Sequence, residues 1–122
     1  MKLYSSEHEW AQINDYEVTV GVSAYAVEQL GDVTFIELPE VGSMVIQNDS
    51  CAFIESVKAA SDVYSPVSGM ILDVNDELND RPELLNESPE EGGWIYKIKM
   101  SNPAEAAELM DEEAYAQYIA SL

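Results

Sequence analysis

Apolar and polar residues alternate at period two along much of the chain. Tyr16 to Val22, Y-E-V-T-V-G-V, and Val33 to Leu38, V-T-F-I-E-L, read as strands. Between them Ser23 can cap a short helix, A-Y-A-V-E-Q-L, which Gly31 ends in a left-handed conformation. Pro39 and Gly42 break the second strand. From Met44 come M-V-I-Q, C-A-F-I-E-S-V, D-V-Y-S-P-V and M-I-L-D-V, separated by N-D, K-A-A-S and V-S-G. Short strands with turn signals at close spacing predict an all-β sandwich or barrel core. No βαβ rhythm is present, which argues against a nucleotide-binding sheet.

Residues 79–93, N-D-R-P-E-L-L-N-E-S-P-E-E-G-G, read as a long polar connection. W-I-Y-K-I-K-M then alternates as a strand, with Trp94, Tyr96 and Ile98 assigned to one side and Ile95 and Met100 to the other. A C-terminal helix is expected at about 103–120: Asn102 caps it, Pro103 suits its first turn and Glu105 completes a capping box. Leu109, Met110, Ala114, Tyr118 and Ile119 supply its apolar face. A shift of 27 residues superposes Gly42 on Gly69, Met44-Val45 on Ile71-Leu72 and Asn48-Asp49 on Asn75-Asp76, as two similar β units would.

Composition narrows the function classes. With 122 residues and 47% hydrophobic content, a single domain over residues 1–122 is expected, its β core at about 16–100. Twenty-four Asp and Glu against five Lys and Arg give a net charge of -19, which excludes a phosphate-tracking surface and repels anionic membranes. Cys51 is the only cysteine and stands in C-A-F-I, where it reads as a small buried hydrophobe. His8 is the only histidine, so neither a metal site nor a Ser-His-Asp triad is supported. No charged segment followed by an apolar run opens the chain, and a cytoplasmic protein is expected.

Lys58 is one of those few cations, and it stands where the chain should turn. Ala59-Ala60 after it are small, Ser61-Asp62 favour turning, and Phe53-Ile54, Val57, Val63 and Tyr64 can anchor both arms. A swinging-arm carrier needs an acceptor lysine on such a tight, unobstructed turn, but by itself the pattern also fits an ordinary surface lysine.

The stretch E-S-V-K-A-A-S-D-V-Y-S-P-V-S-G at 55–69 resembles the lipoyl-attachment hairpin of the glycine cleavage system H protein family. The resemblance runs through H-E-W at 8–10, G-V-S-A-Y-A at 21–26, L-G-D at 30–32, E-L-P-E-V-G at 37–42 and residues 75–94. It implies a mainly β, lipoyl-domain-like barrel-sandwich hybrid with a short internal helix and a C-terminal helix. It also implies a covalent lipoyl group on Lys58, in an attachment pattern of Glu55, Ser56, Val57, Ala59 and Gly69. Glu9 matches a family position near the docked arm, where it can attract a bound ammonium. Met70 stands where the family often has a charged residue, and Asn48-Asp49 replaces a common Gly-Asp turn.

By the same resemblance the chain is a carrier and not a catalyst, most simply a monomer. A pyridoxal-phosphate glycine decarboxylase would load the aminomethyl group of glycine onto the arm, which reaches on the order of 14 Å. An aminomethyltransferase using tetrahydrofolate would take it, a flavin-dependent dihydrolipoamide dehydrogenase would reoxidise the arm, and lipoyl-attaching enzymes would install it. The alternative within the resemblance is an H-like protein that relays lipoyl groups to 2-oxoacid dehydrogenases or serves regulation.

Overall fold

The chain forms nine strands, most of them from the alternating segments, in a computed structural model that describes residues 1–122. Strands β1 (Lys2–Tyr4), β2 (Glu9–Asn14), β3 (Glu17–Val22), β9 (Tyr96–Met100), β8 (Gly69–Val74) and β5 (Met44–Val45) make one antiparallel sheet in that order. The second sheet runs β4 (Val33–Glu37), β6 (Ser50–Ser56) and β7 (Ala60–Tyr64). Helix α1 (Ala24–Leu30) and a C-terminal helix (Glu112–Ala120) complete a mainly β fold, as expected.

Both sheets contribute to one core. Val18 and Val20 of β3, Ile71 of β8 and Ile98 of β9 meet Ile54 of β6 and Val63 of β7, all at most 1% exposed. Such side chains dominate the folding free energy, at about 1.5–3 kcal/mol for each one fully buried. Tyr96 adds a buried phenol, satisfied by a 3.1 Å bond to Ser65 Oγ. Ser23 caps α1 by accepting from Ala26 N (3.2 Å), and Gly31 ends it at φ 76°, both as the local sequence predicts.

Several expectations are corrected. The sheet begins at Lys2 and not near residue 16, because β1 and β2 pair through Tyr4 and Trp10. The polar connection and the residues just before it fold into two short helices, α2 (Glu77–Asp80) and α3 (Leu84–Glu87), which bury Leu78 and Leu85 fully in the core. Met100 shares the buried face of β9 with Tyr96 and Ile98, as strict period two requires, whereas Ile95 precedes the strand.

The C-terminal helix is also split. Residues Pro103–Glu108 form a 3₁₀ turn, and α4 proper begins at Glu112 under an Asp111 cap that accepts from Ala114 N (2.8 Å). Between them Met110 leaves the helical path to exchange backbone hydrogen bonds with Tyr4, at 2.7 and 2.8 Å. Glu105 closes no capping box; its carboxylate accepts from Ser68 N (2.7 Å) and Ser68 Oγ (2.8 Å). Tyr115, not Ala114, is the buried residue of α4. The 27-residue correspondence does not extend to the asparagines: Asn48 turns the chain at φ 73°, while buried Asn75 donates to the Gly92 and Trp94 carbonyls.

Gly69 sits where β8 is flanked by β5 and β9, opposite Val45 and Met100. A Cβ there would overlap the Lys99 carbonyl oxygen, which backbone pairing holds in place. Gly69→Ala is therefore expected to destabilise the fold by about 1–3 kcal/mol, the usual cost of forced overpacking. Urea unfolding checks this; a midpoint unchanged from the parent would show that the sheet yields freely.

Candidate functional site

The Lys58 turn is made by strand register. Glu55 pairs with Ala60 across β6 and β7, and Ser56 N donates to Ala59 O (2.8 Å), so Val57 and Lys58 alone reverse the chain. Two-residue hairpins usually need positive φ angles, and neither of these residues adopts one. Ser56 supplies the local compensation: its hydroxyl accepts from Lys58 N (3.2 Å) and Ala59 N (3.1 Å). A further bond, from Val57 N to Asp32 O (3.0 Å), ties the tip to the end of α1.

Lys58 is exposed at that tip, and its stem lies across bare backbone. A Cβ on Gly31 would come within 3.2 Å of Lys58 Cε. Lys2, Arg81 and Lys97 pair with Glu90, Glu87 and Glu17 at 2.9, 3.3 and 3.8 Å, but Lys58 and Lys99 form no ion pair. In a chain with 24 acidic residues, an unpaired amine on a two-residue turn is open to acylation. Val57 is 67% exposed beside it, and Glu55, Ala59 and Ala60 are exposed too. Acylating Lys58 would bury no charge and break no salt bridge, so the site fits a covalent lipoyl group.

The hairpin brings Glu55, Ser56, Val57, Lys58 and Ala59 together. Gly69 lies in the other sheet, where its role is strand spacing. Glu9 is also remote from the tip, but its carboxylate reaches the return strand: Oε2 accepts from Tyr64 N (3.3 Å) and Oε1 from Ser5 Oγ (2.5 Å). It is 2% exposed, and burial pushes its carboxyl up to about 7, aided by nearby Glu7 and opposed by the hydrogen bonds from Ser5 and Tyr64.

Glu9 lines a cleft of about 300 Å³ between α1 and β7. Leu30 and Ile54 give it apolar walls, and Glu7, Glu9 and Asp62 supply carboxylates with no lysine or arginine among the lining residues. That combination suits an apolar chain ending in a cation. His8, also in the lining, bends the backbone at φ 70° and places Nδ1 2.8 Å from the Tyr115 hydroxyl, which lies 2.6 Å from Ser23 Oγ. Burial lowers the His8 pKa and so favours the neutral ring, while nearby Glu7 opposes the shift. Sequence reading missed Tyr115, although it stands three residues before Tyr118 on a helical stripe.

Cys51 is no rival nucleophile. Its thiol points at the Val63 carbonyl (3.4 Å), and burial raises its pKa to about 11. No group of three or more His, Cys, Asp or Glu side chains is placed to hold a metal ion, and no helix is long and apolar enough to cross a membrane.

Because the Glu9 carboxyl titrates near 7 in the fold and near 4.5 when unfolded, the folded state holds the extra proton between those values. Ionising Glu9 thus removes stability as pH rises from about 4.5 through about 7, and no further loss follows above that window. Glu9→Gln is expected to erase this slope relative to the parent. Urea midpoints measured across pH 4–9 check it, and parallel profiles would contradict the assigned burial effect.

A family model described as Glycine cleavage H-protein matches residues 2–122. The glycine cleavage system H protein of Caulobacter vibrioides is 51% identical over 119 residues, covering 98% of either chain. That of Thermotoga maritima is 49% identical over 120 residues, covering 98% of this chain and 97% of its own. The crystal structure of a glycine cleavage system H protein from Mycobacterium marinum superposes with a TM-score of 0.91 at 36% identity, over 98% of this chain and 96% of that one. With the family model over residues 2–122, the relatives and the superposed crystal structure in agreement, the chain belongs to the glycine cleavage H-protein family, a family of lipoyl carrier components and not of catalytic enzymes.

Proposed function

We propose that Lys58 is the lipoyl attachment point of a monomeric cytoplasmic carrier. The carrier takes the aminomethyl group of glycine from a pyridoxal-phosphate decarboxylase to a tetrahydrofolate-dependent aminomethyltransferase. A dihydrolipoamide dehydrogenase reoxidises it, and lipoyl-attaching enzymes modify it beforehand. The observation that carries this reading is the unpaired Lys58 amine on a two-residue tip, braced by Ser56 and laid over Gly31. Bound there, the lipoyl group supplies a dithiolane that accepts and gives up the cargo.

The remaining work belongs to the chain. The hairpin presents the modified side chain clear of the sheet, so that partner active sites can admit it. Tethering replaces free diffusion by a high local concentration at each docked partner. Glu9, Asp62 and Glu7 give the cleft the charge to hold a protonated amine, while Leu30 and Ile54 shield it from water. Glu55, Val57 and Ala59, exposed around Lys58, offer the attaching enzyme an acid, an apolar contact and a gap. The net charge of -19 speeds encounter with basic partner surfaces more than it tightens docking, which lets several enzymes take turns.

Exchange of labelled CO2 into glycine by the decarboxylase tests the proposal. The lipoylated chain is expected to support it, and Lys58→Ala is expected to abolish it. At subsaturating carrier the rate should fall several-fold between about 0.05 and about 0.5 M salt, as the Debye length shrinks. A lipoylated chain without exchange would overturn the glycine assignment, and a salt-independent rate would overturn the steering argument.

A further inference from the structure

The hairpin tip is held from below by a side chain that has no place in the attachment pattern. Asn86 projects from α3 and makes a two-point clamp on the segment after α1. Its Nδ2 donates to Gly31 O (2.8 Å), and its Oδ1 accepts from Val33 N (2.9 Å). Asp32, between them, offers its carbonyl to Val57 N at 3.0 Å. Gly31 is also the bed on which the Lys58 stem lies. We infer that Asn86 is a positioning residue for Lys58: it fixes the 31–33 segment that both anchors the turn and supports the lysine stem.

Local structure explains why a side chain is needed there. Gly31 N–H closes α1 onto Val27 O (3.0 Å), after which the helix offers no further partner. The β4–β6 ladder pairs Val33 with Ser56 and is irregular between Val33 and Phe35, next to the point where the tip must be held. The Gly31 carbonyl and the Val33 amide would otherwise stand unpaired beside the core. A primary amide supplies a donor and an acceptor side by side for them. Aspartate keeps the acceptor but sets a carboxylate oxygen against the Gly31 carbonyl.

Because it concerns how Lys58 is presented, the inference rests on the carrier reading, and its test separates the two. Wild type, Asn86→Ala, Asn86→Asp and Leu84→Ala are compared at a temperature where all are folded. Leu84→Ala removes apolar packing from the same helix and leaves the clamp intact. Amide hydrogen exchange is read at Val57 and, as an internal reference, at Ser56, which bonds within the hairpin. The rate of lipoyl transfer to Lys58 by an attaching enzyme supplied with activated lipoate is measured alongside.

Both Asn86 variants are expected to speed Val57 exchange at least about fivefold, the population change that one net hydrogen bond is worth, while Ser56 stays protected. Lipoyl transfer at subsaturating carrier should slow by a similar factor, and Leu84→Ala should leave both readouts near wild type. Unchanged Val57 exchange in the Asn86 variants, or equal slowing in Leu84→Ala, would overturn the inference. Absence of lipoyl transfer to the wild-type chain would overturn the carrier reading itself.

Discussion

The antiparallel pairing of β6 with β7 is the constraint on which the site depends. It sets Glu55 opposite Ala60 and leaves Val57 and Lys58 to reverse the chain, so the reactive amine stands at the outermost point of a stiff ribbon. A ribbon of this kind is marginal alone, and here one face and one edge are committed: Ile54 and Val63 anchor it in the core, and β4 pairs along β6. The cost of ordering the tip is offset by hydrogen bonds that converge on it, three of them through the Ser56 hydroxyl. A longer or looser connection would present the lysine as a mobile side chain with no fixed surroundings for an attaching enzyme to read.

Charge serves the same end in two ways. The chain carries a net charge of -19, yet Lys58 remains unpaired, and the Asp62 carboxylate across the hairpin accepts from Ser50 Oγ (2.9 Å). Inside the cleft the balance reverses. Glu9 is buried with two hydrogen-bond donors and no cation, an arrangement that is costly when ionised and relieved when a positive group arrives. A site that prefers to be neutralised is well matched to a protonated amine.

Much of this was legible in the sequence where the signal is local. Ser23 and Gly31 bound α1 as their capping chemistry predicts, and most strands from residue 33 to 74 follow alternation, but Ala60, Ser61 and Asp62, read as turn residues, belong to β7, because their pairing with β6 leaves only Val57 and Lys58 to turn. What escaped depends on distant partners. β2 opens on the buried acid Glu9, which breaks the alternation that would mark a strand. Glu105 resembles a capping-box residue but spends its carboxylate on Ser68. Asn86, in a Pro- and Gly-rich polar stretch, gave no sign that its amide closes a gap 55 residues earlier. For Lys58 the residues alone showed a turn; the attachment reading came from family resemblance, and the geometry now adds an unpaired amine, a two-residue tip and a glycine bed.

The central claim is that one lysine of four is set apart for acylation. The most direct measurement is a peptide map of the chain after incubation with a lipoyl-attaching enzyme and activated lipoate. The account predicts a single modified peptide containing Lys58, with Lys2, Lys97 and Lys99 untouched and no modification of Lys58→Arg. Modification spread over the other lysines, or a fully unmodified chain, would contradict it.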